Sequence, residues 1–175
     1  MSELLEMLRT RRSIRKYTDE KVSEEKLEKI IQAGLLAFSG RNYKPWEMIV
    51  VRDKETLVKM SDCRVGAAKM LEGADCAIVV LAVEGKSDTQ IEDCSIVMSN
   101  MHLCAHTLGL GSCWIQNRMR QTPDGITTED YLRELLSFPV DRHPEAILSI
   151  GVPAEFPAPR EPDDGDMTKV HYEKY

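Results

Sequence analysis

The chain has 175 residues, 42% hydrophobic and 30% charged, enough for one domain to bury a core without disulfides or a structural metal. That balance excludes a disordered or collagen-like polymer. With 23 Lys and Arg against 29 Asp and Glu, the formal net charge is −6, so the basic footprint of a nucleic-acid binder is missing.

The longest apolar run, residues 77–83, is too short to cross a bilayer, and Glu3 and Glu6 stand where a signal peptide needs basic and then apolar residues. The expectation is a soluble, cytoplasmic chain with neither membrane nor nucleic acid as partner. The five cysteines are odd in number and form no CxxC pair, which fits reduced thiols.

In chain order, Ser2 is placed to cap a first helix running to about Arg11, with Leu4, Leu5, Met7 and Leu8 on one side. Residues 13–17 follow as an extended exit. Ser23, followed by Glu24 and Glu25, caps a second helix whose stripe is Leu27, Ile30, Ile31 and Leu35. Residues 38–45 read as a loop and 46–51 as a strand. Asp53 caps a helix over 54–60, and 67–71 form another short helix.

Residues 76–83 lack polar alternation, as in a strand buried on both faces. The longest helix spans 90–108 and turns Ile91, Cys94, Met98, Met101, Ala105 and Leu108 inward, with Gly109 at its C′ position. A third strand covers 112–116, a helix opens at Thr128 and ends before Pro139, and a fourth strand covers 146–151. Pro153, Pro157, Pro159 and Pro162, with Asp163, Asp164 and Asp166, then leave residues 153–175 as an extended arm. Val170, Tyr172 and Tyr175 give that arm apolar anchors for a surface, a second subunit's being one candidate. Four or five strands flanked by helices in one domain is the expected architecture.

The sequence holds no GxSxG elbow, P-loop or HExxH, and no GxGxxG between a strand and a helix. His102 and His106 have the i, i+4 spacing of a helical metal pair, but no third ligand is fixed by spacing, so no metal is assigned. Two clusters remain. Arg11, Arg12, Ser13 and Arg15 close the first helix with forked cations suited to phosphate. The loop around Ser39, Gly40 and Asn42, just before Pro45 and Trp46, offers a planar donor and acceptor to a heterocycle; its bland alternative is an Asn satisfying its own turn.

Taken together, RRSIRxY, a capped helix, AxxAxSGxNxxPWxxxVV, a buried strand, the D-x-S-x-x-x-x-N segment leading into L-G-L-G-S-C-W-I, and I-G-V-P resemble the FMN-dependent nitroreductase family. The matching residues are 11–15, Ser39, Gly40, Asn42, Pro45, Trp46, Asp93, Asn100, 108–115 and 150–153, spread over most of the chain in the family's order. The resemblance implies an α+β three-layer sandwich with a central, mostly antiparallel sheet flanked by helices. It also implies an intertwined homodimer with an FMN in each of two interfacial clefts. Residues 1–152 would form the FMN-binding domain and 153–175 its C-terminal arm.

By the same resemblance, Arg11, Ser13 and Arg15 hold the FMN phosphate, ribityl chain and pyrimidine edge, with Arg12 beside the phosphate. Ser39, Gly40 and Asn42 reach the flavin of the other subunit. The backbone of Trp114, Ile115, Gln116 and Asn117 lies against the N5 edge, Lys69 lies near N1 and O2, and Arg160 on the arm returns to the phosphate. Gln116 stands where short members often carry glycine, and Phe38 replaces a common proline. The chain also lacks the lid insertion of the deiodinase and flavin-cleaving branches.

The implied activity is hydride transfer from NADH or NADPH through FMN to a nitroaromatic, quinone or similar small-molecule acceptor by a ping-pong mechanism. The alternative is a non-catalytic FMN-binding dimer that stores, delivers or senses flavin. A third reading is a dimeric scaffold that has lost FMN.

Overall fold

Four helices begin where a short oxygen-bearing side chain precedes an acidic first turn. Ser2 accepts from Leu5 N–H ahead of α1 (Glu3–Thr10), and Ser23 from Lys26 N–H ahead of α2 (Glu24–Leu35). Asp53 does the same for α3 (Lys54–Met60), and Thr127 for α5 (Thr128–Leu136). The long α4 (Gln90–Thr107) has no side-chain cap at Thr89; it ends at Leu108, with Gly109 following at φ 72°. The computed structural model describes residues 2–161 and 165–175, so Pro162, Asp163 and Asp164 of the arm lie outside the described residues.

The strands β1 (Trp46–Val51), β2 (Cys76–Val83), β3 (Gly111–Gln116) and β4 (Arg142–Gly151) form one antiparallel sheet in the order β1-β2-β4-β3. Every residue of β2 is buried, as its unbroken apolar run requires. The side chains divide into two cores. One packs Leu27 and Ile30 of α2 and Cys94, Val97, Met98 and Met101 of α4 against Ile78, Val80 and Leu148. The other packs Leu57 and Met60 of α3, Leu71 and Leu132 against Val79, Ile115 and Ile147. Helices cover both sheet faces, so the expected three-layer α+β arrangement is present in the single chain.

Several boundaries differ from the sequence expectation. The short helix placed at 67–71 is a 3-10 turn over Lys69–Glu72. The first helix stops at Thr10 because Arg11 is already extended, at ψ 124°. β4 starts at Arg142, four residues early. Pro144 pairs with Leu81 beyond the reach of β3, whose partners end at Ala146, and Glu145 between them is the extra residue of a β-bulge. Burial pushes the thiols of Cys63, Cys76 and Cys94 up to about 12, so they act as small apolar fillers.

Candidate active site

The site grows from the segment that leaves α1. Ile14 N–H donates to Ser112 O at 3.0 Å, which lays the segment along the outer edge of β3. Thr18 N–H then bonds Val152 O, and Ala154 N–H bonds Lys16 O. Extended backbone alternates sides, so burying Ile14 turns Ser13 and Arg15 away from the core. Two glycines admit the segment. Gly111 and Gly151 are cross-strand partners, and a Cβ on either would stand 2.7 Å from Ile14 or Tyr17. Tyr17 locks the arrangement through its hydroxyl, 2.7 Å from Ile14 O and 2.8 Å from Ser149 Oγ.

The arm returns antiparallel to this segment. Arg160 N–H donates to Arg9 O, and the Arg9 guanidinium donates to Arg160 O. The Arg12 guanidinium donates to Ala158 O. Burial, followed by the neighbouring charges of Arg160 and Arg12, lowers the Arg11 pKa from its usual value. The side-chain bonds of Arg11, Arg12 and Arg15 run to a histidine ring and to carbonyls. Glu155 accepts from the Arg15 backbone N–H at 2.7 Å. A cavity of about 220 Å³ opens here, lined by Arg11, Arg12, His106, Ser112, Glu155 and Phe156 among others.

The free edge of β3 supplies the other half. Ser112 O accepts from Ile14 N–H, and Gln116 O accepts from the Arg64 guanidinium at 2.9 Å, so the even-numbered residues direct backbone groups away from β4. The same alternation aims the N–H groups of Trp114 and Gln116 outward. Their side chains are held in a relay: Trp114 Nε1–H donates to Gln116 Oε1, and Gln116 Nε2–H donates to the buried Glu145 carboxylate. Asn117 is 2% exposed, and neither its amide oxygen nor its amide nitrogen has a hydrogen-bond partner. Such a donor and acceptor pair is costly unless a ligand or partner meets it.

The remaining expected residues stand apart from the arginines in the single chain. Lys69 Nζ pairs with Asp62 at 2.8 Å and Glu72 at 3.0 Å, and both carboxylates raise its pKa. The turn carrying Lys69 is anchored by Ala68 and Leu71 in the core that Ile115 joins, so it faces the same side of the sheet as Ile115. In the 39–42 loop, Gly40 N–H donates to Asp93, a 2% exposed carboxylate also bound by Thr89, and Arg41 and Asn42 hold positive φ. Asp93 and His102 are separated by about 14 Å along α4 at 1.5 Å per residue. The loop and the arginine cluster therefore lie toward different ends of that helix.

His102 and His106 do not converge on a metal-like site. His102 is 9% exposed, with Nε2 2.7 Å from Arg11 Nη1 and Nδ1 2.5 Å from Ser112 Oγ. Burial, then the charges of Arg11 and His106, push its pKa down to about 3. His106 meets Thr10 Oγ1 at 2.9 Å. Sequence reading missed Arg64 and Glu145 and had no role for the His102 and Ser112 pair. Only the spacing of the two histidines hinted at any of these.

Known proteins share the sequence pattern and the fold. The sequence pattern of the Nitroreductase family matches residues 8–63 and 58–152. A protein of Archaeoglobus fulgidus, provisionally named NADH dehydrogenase/NAD(P)H nitroreductase, is 39% identical over the whole of both chains. The FMN reductase [NAD(P)H] of Bacillus subtilis is 32% identical over 94% of this chain and 72% of its own. Among solved structures, an FMN-dependent nitroreductase from Clostridium difficile superposes with a TM-score of 0.95 at 46% identity, covering 98% of this chain and 99% of that one. A provisionally named nitroreductase from Desulfovibrio desulfuricans, solved in complex with FMN, reaches 0.80 at 27% identity over 100% and 99% of the two chains. By the family match and these relatives, the chain belongs to the nitroreductase family.

Proposed function

We propose that the protein is an NAD(P)H-dependent FMN oxidoreductase that works as a homodimer and reduces nitroaromatic, quinone or similar electrophilic acceptors by a ping-pong mechanism. The observation that carries this reading is the cleft lined by Arg11 and Arg12 beside the edge of β3, where the charge of Arg160 also acts on Arg11 and the Arg11 guanidinium is paired with a histidine ring. FMN fits that set. Its phosphate suits the cations, and the unpaired amide of Asn117 suits the polar rim of a planar heterocycle. When bound, FMN supplies the hydride chemistry at its ring, and relatives named for FMN and NAD(P)H support that assignment.

The chain's own residues then bind and orient. Arg11 and Arg12 grip the phosphate with Arg160 from the arm, and Ser13 and Arg15 follow the ribityl chain toward the pyrimidine edge. The outward N–H groups of Trp114 and Gln116 face the ring edge, with Ile115 and Asn117 beneath, while Gln116 is steadied by Glu145. Lys69 faces the pyrimidine side, sharing its charge with Asp62 and Glu72. Ser39, Gly40 and Asn42 serve the cleft of the partner subunit. No side chain is assigned as catalytic acid; water supplies protons through the open cleft.

Dimerisation has its own support. The helix α1 buries none of its residues in the single chain, leaving Leu4, Leu5 and Leu8 exposed, and Leu36 and Phe38 are 82% and 74% exposed. A helix with an apolar stripe and nothing under it calls for a partner surface.

Stopped-flow mixing of the yellow protein with NADH and NADPH tests the enzyme reading. Rapid bleaching, followed by reoxidation with a quinone or nitrofuran and parallel double-reciprocal plots, is expected. Flavin that stays oxidised with both nucleotides would make the protein a carrier, and a colourless protein that takes up no FMN would make it a scaffold.

A further inference from the structure

Aiming an arginine usually falls to a carboxylate, whose negative charge offsets the positive charge the arginine was meant to offer. The structure uses a different partner for Arg11. A guanidinium only donates hydrogen bonds, so His102 Nε2, 2.7 Å from Arg11 Nη1, must accept with a free lone pair. The ring proton is then on Nδ1, where it meets Ser112 Oγ at 2.5 Å. Ser112 is itself fixed, because its carbonyl receives Ile14 N–H from the same segment that carries Arg11. The ring stands on α4, inside the fold, and the charged or titratable groups that act on it and on Arg11 are Arg12, Arg160, His106 and Cys113. The Glu155 carboxylate lines the same cavity but bonds the Arg15 backbone N–H.

We propose that His102 is a positioning residue for the phosphate grip: an uncharged acceptor, braced by Ser112, that aims the Arg11 guanidinium into the cleft while leaving its positive charge whole for the ligand. The remaining donors of the Arg11 fork stay available to a phosphate. Burial of the ring beside Arg11 and His106, with the pKa pushed down to about 3, keeps it from acquiring a charge that would repel the guanidinium.

The proposal rests on the reading that Arg11 meets the FMN phosphate, and comparing FMN with riboflavin separates the two. Riboflavin has the same ring and ribityl chain without the phosphate. Dissociation constants for both flavins are measured by fluorescence quenching on the full-length wild type, Arg11→Ala, His102→Leu and His102→Gln. His102→Leu is expected to weaken FMN about tenfold, the size of one lost charge-assisted bond, and to leave riboflavin unchanged. His102→Gln, whose amide oxygen can replace the acceptor, should recover most of that loss.

If Arg11→Ala weakens FMN selectively but His102→Leu does not, the positioning role is overturned and the phosphate reading stands. If Arg11→Ala leaves the ratio of the two constants unchanged, the phosphate reading fails and the proposal with it. Equal weakening of both flavins in His102→Leu would mean packing alone and would also overturn it. Should that variant fail to fold, 15N spectra of the wild-type imidazole at pH 7 decide: an Nδ1–H tautomer is expected, and Nε2–H or a doubly protonated ring overturns the proposal.

Discussion

The clamp depends on two missing side chains, and restoring one of them is a severe test. In Gly151→Ala the added Cβ would lie 2.7, 2.8 and 3.0 Å from Cδ1, Cγ and Cβ of Tyr17. Carbon atoms rest at about 3.5–4.0 Å, so Tyr17 must retreat by about 1 Å. Its hydroxyl bonds to Ile14 O and Ser149 Oγ, now 2.7 and 2.8 Å, would then stretch beyond hydrogen-bonding length. Overpacking of this kind costs about 1–3 kcal/mol, and a lost neutral hydrogen bond about 1 more. Alanine returns about 0.4–1 kcal/mol by stiffening the unfolded chain.

The net expectation is a loss of about 2–3 kcal/mol, read as a drop of about 1 M in the urea midpoint at fixed protein concentration. FMN affinity should fall as well, because Tyr17 holds the strand from which Ser13 and Arg15 project. In a Tyr17→Ala background the same substitution should cost much less, since the colliding ring is gone. An unchanged urea midpoint for Gly151→Ala in the wild-type background would refute this account of how the segment is seated.

Arg11→Ala should weaken FMN by about one to two decades, and Arg11→Lys should rescue only part because the fork is lost; flavin titration on both variants checks this. His102 makes stability acid-sensitive. Its folded pKa of about 3 lies below the unfolded value, so the unfolded chain binds the extra proton and stability falls as pH drops from about 6.5 toward 3. By pH 4.5 this removes about 2–3 kcal/mol that His102→Gln should retain, and equal urea midpoint shifts in the two proteins would contradict it. Truncation after Pro153 should reduce both FMN occupancy and the dimer, whereas Arg160→Ala should reduce FMN alone; sedimentation and absorbance of the two variants decide. A sedimenting monomer of the full chain with complete FMN content would contradict the shared cleft.

Local chemistry made most elements legible. The caps at Ser2, Ser23 and Asp53 and the apolar run of β2 each act within a few residues, so α2, α3 and β2 could be placed from the chain alone. The start of β4 could not, because Pro144 reads as a breaker until the bulge at Glu145 and the end of the β3 pairing are known. In the site, the ordered motifs named Arg11, Ser13, Arg15 and Asn42, but their supports come from far along the sequence. His102 lies 91 residues from Arg11, and Glu145 lies 29 from Gln116. No periodicity encodes such pairings.

Lys69 shows the converse. Its role was read from the resemblance, but its ion pair with Glu72 lies within a 3-10 turn where a helix was expected, and its pair with Asp62 reaches across to just past the end of α3. These cases share a physical cause. A group that contacts a ligand can declare itself through residue type, because phosphate demands cations and a heterocycle demands amides. A group that aims another group has no such demand on its identity. His102 could be any uncharged acceptor of the right reach, and the demand for glycine at 151 arises only once Tyr17 is packed against it. What selects them is the fold's geometry at Ser112 and Ile14, where a strand edge, a helix face and the exit of α1 meet. The proposed binding groups are therefore nominated one by one by residue type, whereas the contacts that aim them exist only after the sheet has formed.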